Sequence, residues 1–101
     1  MVMPFDSPRY TKKARRQLRS LKPYYCKLVL QKIEDCLLDE LDTPSLARKR
    51  LEPNPLSTWE LKVGEFRVFY DVDRPSNTVT IQAIGYKPRN VLYIDGKEYP
   101  L

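Results

Sequence analysis

Two periodicities divide this chain. As far as about residue 41 the apolar side chains recur at helical spacing, and from Trp59 onward they alternate with polar ones. Val2 to Phe5 reads as a short first strand. Ser7-Pro8 then reads as a helix start, with Ser as N-cap and Pro at the first helical position. Tyr10, Ala14, Leu18 and Leu21 give that helix one apolar face. Lys22-Pro23 breaks it, and a second helix is expected from Tyr24 to about Leu41, burying Cys26, Val29, Leu30, Ile33, Leu37 and Leu41. So tight a junction predicts an antiparallel helical hairpin. Thr43 to Thr58 carries three prolines and reads as a loop, with room for one helical turn over Ser45–Arg50.

The second half reads as strands. Trp59–Val63 and Phe66–Val72 alternate, and Gly64-Glu65 between them is a two-residue hairpin loop of type II′ character. Arg74–Asn77 is the next turn, and Thr78–Ile84 a third strand. Asp95-Gly96 marks a last small ribbon between Val91–Ile94 and Lys97–Leu101. With Gly64-Glu65 as the loop, Val63 faces Phe66, Leu61 faces Val68 and Trp59 faces Tyr70. Setting Asp73 against Thr78 places Val72 on Val79, Tyr70 on Ile81 and Val68 on Ala83. Both registers put these apolar side chains on one face, which the helices would cover. The other face then reads Glu60, Lys62, Arg67, Phe69, Asp71, Thr80, Gln82 and Ile84, with Lys62 directly opposite Arg67. Like charges facing each other across a strand pair are destabilising, so this pair suggests an anionic partner. Exposed Phe69, with Tyr86 and Lys87 just beyond the third strand, would suit a phosphate and a stacked base. The structural alternative is a merely wet face in which Glu60 and Asp71 neutralise the cations.

Length and composition narrow the class. A chain of 101 residues, 42% hydrophobic and 31% charged, supports one domain with one modest core, and the expected boundaries are 1–101. No apolar run approaches the ~18 residues of a membrane helix, and the N-terminus lacks the pattern of a secretory signal. With no histidine, Ser-His-Asp and Cys-His nucleophilic systems and the usual His-containing metal sites are excluded. Cys26 and Cys36 lie too far apart along one helix to bridge, and read as reduced thiols in a cytoplasmic chain. The net charge of +5 is uneven. Residues 1–32 hold nine bases and one acid, a local +8, while the remainder holds nine bases and twelve acids. In the first helix Arg9/Lys13, Lys12/Arg16 and Arg15/Arg19 repel each other four residues apart. A polyanionic partner explains this clustering better than stability does, although a solvated basic face would read the same.

The stretch Trp59-Glu60-Leu61-Lys62-Val63-Gly64-Glu65-Phe66-Arg67-Val68-Phe69-Tyr70-Asp71, followed by Ala83-Ile84-Gly85-Tyr86-Lys87, resembles the RelE/ParE toxin superfamily. The resemblance implies an α+β fold: a short N-terminal strand, then an antiparallel helical hairpin packed on a mainly antiparallel sheet of three to five strands. RelE-like members cut mRNA in the ribosomal A site, ParE-like members act on DNA gyrase, and both are normally neutralised by an antitoxin. Carried over residue by residue, the RelE-like pattern has basic residues at Lys62, Arg67 and Lys87 and a tyrosine at Tyr93. Lys87 stands where the best-known pattern has arginine, and Glu60 where it has another lysine. The terminal catalytic histidine of some branches is absent.

The chemistry so implied is metal-free and cofactor-free. A 2′-hydroxyl attacks the adjacent phosphate, leaving a 2′,3′-cyclic phosphate and a 5′-hydroxyl. Lys62 and Arg67 would stabilise the phosphorane, with Lys62 or Glu60 as base, Lys87 at the leaving oxygen and Tyr93 on a nucleotide. Arg15, Arg16, Arg19, Arg48, Lys49 and Arg50 would hold RNA backbone or an acidic antitoxin segment, and Phe69, Tyr86 and Arg89 would line the RNA path. The expected partners are an antitoxin, the ribosome and mRNA, and no membrane. Two other readings compete: a ParE-like poison without a nuclease site, and a basic binding module that has lost toxicity. The nuclease reading requires Lys62 and Arg67 side by side and facing outward.

Overall fold

A computed structural model describes residues 7–36 and 41–100. The elements are β1 (Arg9–Tyr10), α1 (Lys12–Ser20), α2 (Pro23–Cys36), β2 (Arg48–Arg50), β3 (Trp59–Val63), β4 (Phe66–Asp73), β5 (Thr78–Tyr86), β6 (Tyr93–Ile94) and β7 (Lys97–Glu98), with a short 3-10 turn at Pro88–Asn90. Strands β2 to β7 form one antiparallel sheet in sequence order, and β1 joins it by pairing parallel to β5. The architecture is the expected α+β layer of two helices on a mostly antiparallel sheet. Among the described residues the sheet has seven strands rather than three to five, because β1, β2 and the β6–β7 ribbon add short ones.

The first helix begins later than expected. Arg9 and Tyr10 pair with Thr80 and Ile81, and Thr11 caps the helix by accepting the Ala14 N–H at 3.0 Å. Sheet pairing therefore outcompetes the Ser7-Pro8 start, while Ala14 and Leu18 remain the buried face. The expected strand over Val2–Phe5 and the end of the second helix at Leu37–Glu40 lie outside the described residues. Leu41 is buried in the turn that follows. The helical turn suggested for Ser45–Arg50 is instead strand β2. Its residues Arg48, Lys49 and Arg50 pair with Leu61, Glu60 and Trp59, and the Ser45 hydroxyl accepts from the backbone N–H of Ala47 and Arg48.

The β3–β4 register is the expected one, with Lys62 opposite Arg67 and Trp59 opposite Tyr70. Gly64 takes φ +59° and Glu65 stays negative, which suits a type II′ loop. Asp95 and Gly96 are both at positive φ, as a type I′ turn requires. The β4–β5 register is right only from Asp73/Thr78 to Tyr70/Ile81. Beyond it Phe69 pairs with Ala83 and Val68 with Ile84, so Gln82 is an inserted residue. A bulge of one residue moves every later side chain to the other face. Ile84 therefore joins the helix-side core and Ala83 leaves it, the reverse of the unbulged expectation.

Helix α1 holds this bulge. The Thr11 hydroxyl donates to the Gln82 carbonyl at 3.1 Å, and the buried Gln17 side chain accepts the Ile84 N–H at 2.7 Å. A nine-residue helix carrying so much positive charge is marginal alone. Here it is fixed by its cap, by Gln17 and by burial of Ala14 and Leu18 against β5. The helix-side core also takes Val29 and Ile33 from α2, and Leu61, Val68 and Tyr70 from the sheet. Tyr70 donates its hydroxyl to the Leu41 carbonyl at 2.7 Å, and burial pushes that phenol well above its ordinary range.

Candidate functional site

The tight Gly64-Glu65 loop brings Lys62 and Arg67 side by side, but it does not leave both free. Lys62 is exposed. The Arg67 side chain keeps only 11% of its surface, and Glu60 beside it keeps 10%. The Arg67 Nε lies 3.4 Å from Glu60 Oε1. Its Nη1 donates to the carbonyls of Gly64 at 2.8 Å and Phe66 at 2.9 Å. The outward-facing guanidinium expected from the sequence is therefore corrected to a largely enclosed one. Like charge across the strands is relieved because the carboxylate two residues before Lys62 takes up Arg67.

Phe69 is a second correction, because it is fully buried rather than an exposed stacking surface. The chain after β5 folds back across this side of the sheet, and Leu92 and Ile94 close over Phe69 and Ala83. Leu51 and Leu56 of the proline-rich loop and Tyr99 pack around them. The approach is close. A Cβ on Gly85 would lie 2.9 Å from Leu92 Cδ1 and 3.1 Å from Phe69 Cε2. The side read as wet thus contains a second core cluster, with Glu60 and Arg67 set at its margin.

The remaining expected residues separate. The Lys87 N–H donates to the Glu65 carbonyl at 2.7 Å, tying the start of the terminal segment to the β3–β4 loop, and its side chain is half-buried. Tyr86 and Tyr93 are cross-strand partners, 43% and 37% exposed, and Tyr86 packs on Phe66 with ring centroids 5.5 Å apart. By that register they belong to the helix-side face, whereas Lys62 and Arg67 belong to the other. Arg89 is exposed in the 3-10 turn at φ +53°.

Of the proposed backbone-binding residues, Arg15 and Arg19 are exposed on α1. Arg16 reaches Asp95 of the last turn at 3.2 Å. Arg48 is half-buried, with Nε donating to the Thr43 carbonyl, while Lys49 and Arg50 are exposed and Arg50 lies over the Trp59 ring at 5.9 Å. Among the described residues no group of acids or cysteines is arranged to hold a metal ion, and no helix is long and apolar enough to cross a membrane.

One feature escaped sequence reasoning. Tyr24, Tyr25 and Leu28 stand off the buried stripe of α2 and, with Phe66, Tyr86 and Tyr93, line a groove of about 1160 Å³, Tyr25 packing on Phe66 with ring centroids 5.2 Å apart. The Tyr24-Tyr25 pair straight after the helix-starting proline, outside the apolar stripe, was the available signal.

Two helices over one face of a mostly antiparallel sheet, with a basic pair beside the β3–β4 hairpin, make up the α+β class expected from the sequence. Residues 9–91 match the model of the ParE toxin of type II toxin–antitoxin systems, so the chain belongs to that family. In structure it is similar to the toxin–antitoxin complex RelBE2 of Mycobacterium tuberculosis, with a TM-score of 0.72 at 25% identity, over 86% of this chain and 95% of that one. No curated protein matches it in sequence.

Proposed function

We propose that this toxin arrests growth by cutting mRNA on the ribosome, with an antitoxin as its natural restraint. Of the outward pair this reading asks for, Lys62 faces solvent and Arg67 does not; what carries the reading is their cross-strand pairing, with the guanidinium held by the Gly64 and Phe66 carbonyls and charge-paired to Glu60. A pre-positioned cation stabilises developing charge without having to reorganise as the reaction proceeds. Arg67 commits Nε to Glu60 and Nη1 to two carbonyls, so Nη2 is its group for a phosphate oxygen among the described residues. Glu60 then acts by orienting Arg67, and Lys62 is the better candidate to take the proton.

In the proposed step the 2′-oxygen loses its proton and bonds to phosphorus, and the bond from phosphorus to the 5′-oxygen breaks. The leaving oxygen gains a proton, giving a 2′,3′-cyclic phosphate and a 5′-hydroxyl. Lys87, anchored at the loop, is the cation available to the leaving side. The exposed bases of α1 would follow ribosomal RNA backbone, making affinity fall steeply with salt.

Lys62→Ala tests this cleanly, since an exposed side chain can be removed with little effect on folding. Induced alone in bacteria, the parent chain should arrest growth and create new mRNA 5′ ends. The variant should lose about 100-fold or more of the cleavage with an unchanged melting curve. A fully toxic Lys62→Ala chain would overturn the assignment. The enclosure of Arg67 by Glu60 and the burial of Phe69 favour a second reading, a toxin that acts by binding a protein such as gyrase. In that case supercoiling falls, mRNA stays whole and Lys62→Ala remains toxic.

A further inference from the structure

The β3–β4 connection does more than reverse the chain. Arg67 and Lys87, two of the cations that the proposed step uses, are both bonded to its carbonyls. The Gly64 carbonyl accepts from Arg67 Nη1 at 2.8 Å, and the Glu65 carbonyl accepts from the Lys87 backbone N–H at 2.7 Å. These are consecutive groups of one two-residue loop, closed by the pairing of Val63 with Phe66. On β5 the partner of Arg67 is Gly85, so that rung brings no further side chain to the guanidinium.

The direction of the Gly64 carbonyl is set by the type of turn. Gly64 is at φ +59° and Glu65 at negative φ, the signs of a type II′ turn. Types I′ and II′ both close a two-residue hairpin loop, but the peptide between their central residues is turned over from one to the other. In type II′ that peptide presents the Gly64 oxygen to Arg67. In type I′ it would present the N–H of residue 65 instead, a donor facing a cation. Glycine is needed here for its backbone and not for room, because an added Cβ would meet nothing within 4 Å. The Asp95-Gly96 turn uses the other type, with both residues at positive φ. Type II′ is therefore particular to the loop that holds Arg67.

We infer that the type II′ geometry of Gly64-Glu65 is a positioning device for the reaction site: one carbonyl fixes the Arg67 guanidinium and the next fixes the backbone at Lys87, so the turn sets how the two cations meet a phosphate. This rests on the nuclease reading and deepens it. Gly64 touches no substrate and acts through Arg67. A charged group displaced by about 1 Å from its reacting partner forfeits much of its effect on the rate.

The test is a turn swap, Gly64→Asn combined with Glu65→Gly. Asn-Gly favours type I′, so loop length and register are kept while the central peptide turns over. The swapped chain should melt within a few degrees of the parent. On purified ribosomes carrying a defined mRNA, its kcat should fall about 10-fold or more at nearly the parent's KM. The NMR signals of the Arg67 guanidinium should show slowed rotation in the parent and averaging in the swapped chain. Arg67→Lys, which removes Nη1, should lose little more when the swap is added, because the two changes act on one contact. Gly64→Ala, one methyl in open space that disfavours only the backbone of the turn, is the second variant should the swap fail to fold, and its kcat should fall in the same direction. A swapped chain as fast as the parent, a guanidinium that stays fixed, or losses that add fully to those of Arg67→Lys would each overturn the inference. A parent chain that leaves the mRNA whole would overturn the nuclease reading together with this one, whereas a cleaving parent and an equally fast swapped chain would overturn this one alone.

Discussion

On the helix side of β3, β4 and β5 the buried residues alternate in the pattern that strand pairing alone dictates, and two helices cover them. On the opposite side the cover is the proline-rich loop and the segment from Leu92 to Tyr99, which carries the two-residue strands β6 and β7. The first face is specified by period and register. The second gains Ala83, as the first gains Ile84, only through the inserted Gln82, and it relies further on segments with no repeating pattern. A sheet can therefore have one face that is plain in its sequence and another that becomes buried only through the connections.

The sharpest way to break this contrast is Phe69→Ala. If the second face is a true core, the loss should be about 3–5 kcal/mol, similar to that for a helix-side residue such as Ile81. Urea unfolding would measure it, and a loss under about 1 kcal/mol would return the face to solvent. Next comes Arg67→Met, which strands the Glu60 carboxylate where only 10% of its side chain surface remains exposed. It should cost about 3 kcal/mol, and adding Glu60→Leu should restore most of that. Failure of the double variant to recover would mean that the carbonyl contacts of Arg67, not its charge pairing, hold the loop.

Smaller effects sharpen the comparison. Gly85→Ala places a methyl against Leu92 and Phe69 and should cost about 1–3 kcal/mol, against almost nothing if the terminal segment were loosely laid. The smallest effect belongs to the far end of the sheet, where Arg74 grips Asp42 with two hydrogen bonds of 2.8 Å. That grip holds the Asp42 carboxyl below its ordinary value. Its stabilisation is therefore present above the unfolded pKa, near pH 4, and is lost as the pH falls through the folded value. With both side chains about a third exposed, the loss should be about 0.5 kcal/mol, visible as an acid-side difference between the parent and Asp42→Asn.

The legible parts were those governed by short-range rules. Gly64-Glu65 and Asp95-Gly96 announced their turns, and from the first of these Lys62 falls opposite Arg67 without further information. The burial of Ala14, Val29 and Ile33 followed from helical spacing. What escaped was non-local. Arg9 and Tyr10 became a strand because β5, seventy residues later, had an edge to fill. Phe69 was read as exposed because alternation says nothing of a chain returning over it. The same limit applies to the candidate site: Lys62, Arg67, Lys87 and Tyr93 could be chosen by residue type. Only the fold shows that Glu60 encloses Arg67 and that Tyr93 lies with Tyr86 along the groove.

Gln17 joins the first helix to the last strands of the molecule. Its amide accepts from Ile84 and donates to Asp95, residues made 67 and 78 positions later. Synthesis runs from the N-terminus, so α1 emerges from the ribosome long before the groups that fix it exist. The growing chain cannot complete this sheet or settle its most cationic helix until Ile84 and Asp95 have been made.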